Sequence, residues 1–219
     1  MSKLYSSIVF FIVCFSSYSQ EVRFPSIIII NSQETIISKE LDSIVKKFES
    51  KGISEHQKQK IINENGKFRL KTEKEIEFLQ EVDISTKITY GLNYFLSYKF
   101  FEYFEDLLIY PIKESIDSTK ESLESISQIH NVNWVINFKK LEFYKEEQYY
   151  KGRAEYLLYN QKEDEIVINS KIIADDSNPG FEFVCQPGSI ECVINNIIDS
   201  VSADVIEFMG QNKEYWRMN

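Results

Sequence analysis

Enzymatic chemistry near neutral pH calls for a base, an activated nucleophile or a set of metal ligands. The 219-residue chain is poor in all three. Its histidines are His56 and His130. His56 lies in the polar run Glu55-His56-Gln57-Lys58, which reads as a solvated helix face. His130 precedes Asn131 at an expected helix end, where a cation or a hydrogen bond to the terminal carbonyls is favourable. The sequence has no Gly-x-Ser-x-Gly elbow to present a serine. Its seven glycines are scattered and form neither Gly-x-Gly-x-x-Gly nor a Walker pattern, so no phosphate cradle is legible. No cofactor is expected.

Two further constellations could carry chemistry. Asp175, Asp176 and Asn178 before Gly180 hint at calcium. A twelve-residue loop would need a bidentate Glu at its end, and counting from Asp175 or Asp176 reaches Gln186 or Pro187. The cluster therefore reads as a turn. Glu142, Glu146, Glu147, Glu155 and Glu182 border or lie in expected strands and keep open a carboxylate-dependent hydrolase acting on envelope glycans or peptides. That activity needs two carboxyl groups at a defined separation beside a cleft.

Cys185 and Cys192 are separated by six residues that include Pro187 and Gly188. The chain can turn back within that span, so they are expected to form a disulfide. A zinc site would need further ligands, and both histidines lie far away in sequence.

The aromatic segment 85–105 contains Tyr90, Tyr94, Phe95, Tyr98, Phe100, Phe101, Tyr103 and Phe104. Spacings of three and four among Ile88, Leu92 and Phe95, and among Tyr94, Tyr98 and Phe101, predict a helix. Tyr90, Tyr94, Tyr98, Phe101 and Phe104 form its candidate interaction surface, the alternative being an aromatic core element. A carrier of a hydrophobic ligand would instead line a cavity with Phe95, Phe101 and Phe104.

The elements that must position these residues begin with Ile27-Ile28-Ile29-Ile30, bounded by Pro25 and Asn31, which predicts a fully buried, parallel, central strand. An amphipathic helix with Ile37, Leu41, Ile44, Val45 and Phe48 follows, closed by Gly52. Capping boxes at Ser54/Gln57, Thr72/Glu75 and Ser118/Glu121 open further helices, the first ending near Gly66. Asp106–Pro111 is an expected strand ended by its proline. The period then becomes two: Trp134, Ile136 and Phe138, then Leu141 and Phe143 after an irregularity at Lys139-Lys140. Strands at 149–159 and 166–174 complete an antiparallel meander, with a polar hairpin loop at 160–165. Ile194, Ile197, Ile198, Val201, Val205, Phe208 and Met209 form the stripe of a last helix ended by Gly210.

The fold class expected is thus α/β (mixed α+β). A single mixed sheet carries two N-terminal parallel strands joined by helices and a C-terminal antiparallel three-strand meander, with helices packed on it. Residues 20–219 are expected to form one domain with a helical insertion near 53–105.

The first nineteen residues read as a cleaved signal peptide. Lys3 is the only charge, Ile8–Phe15 is apolar, and Ser17 and Ser19 suit cleavage between Ser19 and Gln20. Eight apolar residues are too few to span a bilayer, which needs about 20. Cys14 follows bulky Ile12 and Val13, unlike a lipobox. The remaining 200 residues hold 24 basic and 34 acidic side chains, a net charge of −10. Such acidity disfavours nucleic acid and anionic membranes as partners, and no later run is apolar enough to be a transmembrane segment.

The layout near residues 26–48 and 106–209, with Asn133-Trp134-Val135-Ile136-Asn137-Phe138, a long hairpin and a terminal amphipathic helix, resembles the small α/β domains of bacterial envelope accessory proteins. These include the N-terminal domain of TolB, penicillin-binding-protein activator lipoproteins and the curli secretion channel subunit. The resemblance implies a non-enzymatic role, with a protein partner, in assembling or regulating an envelope complex. The location would be the periplasm, the outer membrane or cell surface, or the medium. Intact-mass measurement of the exported protein should read a chain beginning at Gln20 with both cysteines oxidised; another N-terminus or two free thiols would refute this.

Overall fold

The computed structural model describes residues 26–50, 61–62, 68–69, 82–103, 108–178 and 185–211. The signal peptide and its cleavage site, His56, Phe104, Glu182 and the Thr72/Glu75 helix start lie outside them.

Strand β1 (Ser26–Asn31) is buried at every residue. It lies between β5 (Leu108–Ser115) and β6 (Trp134–Glu146) and runs parallel to both. Its isoleucines face alternately to the two sides of the sheet. Ile27 and Ile29 enter one core cluster, and Ile28 and Ile30 enter another. This double burial is why a four-isoleucine run forms the central strand.

The sheet continues antiparallel through β7 (Tyr149–Asn160) and β8 (Glu165–Asp175), in the order β5-β1-β6-β7-β8. A short strand, β2 (Glu34–Ile37), prolongs the line of β1 along β6 and brings the sheet to six strands. Three helices close one face: α1 (Asp42–Glu49), α2 (Ile84–Tyr103) and α4 (Ile190–Gln211). Helix α3 (Lys120–His130) lies on the other. The mixed α+β sheet expected from the sequence is the one observed.

Several local expectations need correction. Ile37 belongs to β2 and not to the first helix, which begins only at Asp42. Glu34-Thr35-Ile36-Ile37 is β-branched and finds a partner in β6, a pairing invisible to helical periodicity. Ile61–Ile62 is a strand (β3) paired with Phe68–Arg69 (β4), where a helix was expected. Pro111 does not end β5, which runs on to Ser115. Among the described residues β5 pairs only with β1, and an edge strand tolerates a missing N–H. Helix α3 is capped by Thr119, whose hydroxyl accepts the Ser122 N–H, and not by Ser118. Asn131 ends it at φ 52°, a conformation asparagine adopts more readily than most residues.

The irregularity at Lys139-Lys140 is a β-bulge: Phe138 pairs with Tyr156 and Lys140 with Glu155. The extra residue shifts the inward set from Trp134, Ile136 and Phe138 to Leu141 and Phe143, so the same face stays buried along β6. Helix α4 docks there through Ile194, Ile197, Ile198, Val201, Val205 and Met209. It starts at Ile190 and passes Gly210 by one residue.

Gly152 is required beneath this helix. A Cβ at that position would stand 2.6 Å from Val193 Cγ1 and 3.0 Å from Ile197 Cδ1. Gly152→Ala should therefore destabilise the fold by about 1–3 kcal/mol through overpacking. Urea unfolding would check this, and an unchanged midpoint would show that α4 does not press on β7.

Candidate functional site

Open α/β sheets commonly hold ligands at the carboxyl ends of their parallel strands. Here the chain leaves β1 toward the face of α1 and α2, and leaves β5 toward the face of α3. The crevice at the end of β1 is filled by side chains that fasten α2 to the sheet. Asn31 Nδ2 donates to Thr86 Oγ1 at 2.9 Å, and the Ser32 N–H donates to Ser85 Oγ at 2.8 Å. Asp83 accepts the Thr86 N–H, and Glu49 accepts the Ile84 N–H at 2.9 Å. These carboxylates satisfy donors at the start of α2 that would otherwise bind an anion. Burial pushes the Glu49 carboxyl upward, and that backbone hydrogen bond opposes the shift.

The aromatic segment is helical, as its spacing indicates. Ile88, Leu92, Phe95 and Leu96 are buried in the main core, whereas Tyr90 and Tyr94 are half-buried. Tyr98 and Phe101 lie on the same helix, and their side chains are outside the described set. The structure thus places Phe95 in packed core and leaves Tyr90 and Tyr94 partly accessible.

Cys185 and Cys192 are bonded, with Cα atoms 5.4 Å apart. Cys192 is fully buried in the first turn of α4. Closing so short a loop stabilises the fold by about 2–3 kcal/mol in the chain-entropy account. The adjoining turn is latched from two sides. Asp176 accepts the Tyr150 N–H at 2.9 Å, and Asn196 Nδ2 donates to the carbonyls of Asp175 and Ser177. Asp175 and Asp176 thereby serve the turn. Among the described residues no three His, Cys, Asp or Glu side chains gather as a metal-binding set.

The four described glutamates of the hydrolase reading do not converge in a cleft. Glu142 pairs with Arg153 at 2.8 Å, and Glu155 pairs with Lys171 at 3.4 Å. Glu146 and Glu147 are exposed at the β6–β7 hairpin. All four lie on strands or a turn at the open side of the sheet.

That open side is the feature that reasoning from sequence missed. Helix α3 packs through Leu123 and Ile126 over Ile28, Ile30, Val135, Leu157 and Tyr159. Beyond Asn137 the same face of β2, β6, β7 and β8 is bare among the described residues. Strand pairing arranges its side chains in rows. One row is Glu34, Lys140, Glu155, Lys171; the next is Ile36, Glu142, Arg153, Ile173. A third contains Tyr144, Lys151 and Asp175. Ile173 is 62% exposed and Ile36 37%. The alternation at i, i+2 along each strand is readable in the sequence, but the rows require the registers and the bulge.

No protein-family model matches the chain, and no curated protein matches it. Solved structures similar to it include a hypothetical protein from Chlamydia trachomatis, at 8% identity and TM-score 0.41, covering 86% of this chain and 99% of that one. A lipoprotein from Neisseria meningitidis matches at 9% and 0.36, covering 85% and 99%. TolB from Acinetobacter baumannii matches at 10% and 0.31, covering 86% of this chain and 29% of that one. The topology-level likeness to envelope accessory proteins is present at low identity, and at these TM-scores it carries no argument about function. No described helix is long and apolar enough to cross a membrane.

On the side covered by α3, Asp164 accepts from Lys120 Nζ at 2.8 Å and from the Tyr159 hydroxyl at 2.9 Å. These hydrogen bonds hold its carboxyl below the usual 3.8. A depressed carboxylate contributes stability that is present above its unfolded value and lost as pH falls through the folded one. Asp164→Asn should flatten the decline of stability below about pH 4. Asparagine tolerates the φ of 52° found there. Urea midpoints between pH 2 and 7 would check this, and an unchanged acid limb would refute it.

Proposed function

We propose that this protein is an exported component of a bacterial envelope that acts by binding a protein partner. The observation that carries this reading is the half of the sheet left bare among the described residues, where Ile36, Tyr149 and Ile173 stand exposed among paired charges. An exposed face of mixed apolar and polar character, rimmed by aromatics, suits protein contact. The half-buried Tyr90 and Tyr94 on α2 offer a second contact point, with Tyr98, Phe101 and Phe104 as its proposed continuation. Export is supported by the N-terminal leader pattern and by a disulfide of the kind that persists in oxidising compartments.

The hydrolase reading is not favoured, because ion pairing on an open face is the reverse of what a general acid needs. The carrier reading has Phe95, whose side chain is described, in the packed core.

The test is photo-crosslinking in cells from residue 173 and, separately, from residue 90, with adducts identified by mass spectrometry. A reproducible protein adduct from either position is expected. Recovery of free monomer alone from both would overturn the binding reading.

A further inference from the structure

The charge order that cross-strand pairing gives the bare face has a consequence for a second copy. From β2 to β8 its first row reads acid, base, acid, base: Glu34, Lys140, Glu155, Lys171. Turned about a twofold axis that runs along the strands between β6 and β7, the row reads base, acid, base, acid. Each charge of one copy then lies over its opposite in the other: Glu34 over Lys171 and Lys140 over Glu155. The second row, Ile36, Glu142, Arg153, Ile173, has the same property. Isoleucine meets isoleucine at both edges, and Glu142 meets Arg153 in the middle. In the third row Lys151 of one copy falls opposite Tyr144 of the other; within one copy Lys151 lies 3.9 Å from Asp175, and Arg153 stands over the Tyr144 ring.

We infer that the occupant of this face is a second copy of the same chain, packed sheet on sheet as a twofold dimer. The inference rests on the reading of the bare face as a contact surface. Its charge arrangement selects the partner. The chain carries a net −9, so two copies repel over most of their surfaces. In the three rows acids and bases balance, leaving a neutral patch through which like copies can approach. A surface of one charge sign, such as nucleic acid or an anionic membrane, finds no single-sign field here. A partner must carry the inverse lattice, and this chain carries it.

The geometry suits aligned sheet packing, in which strand directions stay within about 30° across the interface. Four strands about 4.8 Å apart and three rows about 7 Å apart give a flat footprint of about 400 Å² per copy. That is half of the ~800 Å² per partner in a standard interface, so the dimer is weak, concentration-dependent and salt-sensitive.

Complementary charge reversals between copies test this. Glu34→Lys and Lys171→Glu alter residues three strands apart in one chain. In a dimer each variant alone places two pairs of like charges face to face. Sedimentation velocity of the purified exported protein should show reversible dimers for the unaltered chain. Either variant alone should weaken association by about tenfold or more, and an equimolar mixture of the two should restore it. No effect confined to one chain produces rescue by mixing.

A second readout is geometric. Ile36 and Ile173 stand about 14 Å apart within a copy but adjoin between copies. Ile36→Cys mixed with Ile173→Cys should therefore form a disulfide-linked dimer that neither forms alone. A monomer at all concentrations, or a mixture no better than the single variants, overturns the dimer. The in-cell crosslink from residue 173 separates the two failures. An adduct to a different protein leaves the binding reading standing and removes the dimer. Absence of any adduct from residues 173 and 90 removes the binding reading itself.

Discussion

Everything in this fold is arranged around a strand that cannot meet water on either side. Ile27, Ile28, Ile29 and Ile30 are each at most 1% exposed, and a fully buried isoleucine contributes about 2 kcal/mol relative to an exposed one. To keep both faces dry, β1 needs a strand on each edge and helices above and below. The parallel pairing with β5 and β6 supplies the edges. The chain between β1 and β5 supplies α1 and α2 for one face, and the chain between β5 and β6 supplies α3 for the other. The long α4 then closes what remains of the first face, approaching β7 across Gly152.

Among the described residues the covering of the two faces is unequal. Helix α3 has 11 residues, whereas β6 has 13 and continues beyond it. The bulge at Lys139 keeps the inward face apolar on both sides of the irregularity, so the outward face past Asn137 carries Lys140, Glu142 and Tyr144. Exposed ion pairs such as those along these rows contribute about 0–1 kcal/mol each, far less than the buried isoleucines. The charged rows therefore do not hold the sheet together. Their order is free to serve recognition.

Acidic side chains elsewhere act as fasteners. Asp204 accepts the Tyr156 hydroxyl at 2.8 Å and ties α4 to β7. Burial, chiefly, and that hydrogen bond push the Tyr156 hydroxyl far upward, so it remains a donor. Asp164 joins α3 to the β7–β8 turn, the Asp176 carboxylate accepts the Tyr150 N–H at that hairpin's far end while its backbone carbonyl accepts the Gly188 N–H of the disulfide loop, and Glu49 joins α1 to α2. In each case a carboxylate accepts from a backbone N–H, a tyrosine hydroxyl or a lysine ammonium of another element, so these charges are used to fasten the fold.

The elements that the sequence determined by itself are those whose signal is local. The isoleucine run, the two-residue period from Trp134 to Phe143, the stripe of α4 and the Cys185–Cys192 spacing each state their burial pattern within one segment. Sidedness and partnership are not local. Ile37 reads as part of a helix until β6 is beside it, and Pro111 reads as a stop until β5 is known to pair with β1 alone among the described strands. Glu34, Ile36, Lys171 and Ile173 belong to three-residue stretches that resemble any solvated strand. Only the registers across β2, β6, β7 and β8 place them in common rows, because a row runs perpendicular to the chain and spans contacts more than a hundred residues apart.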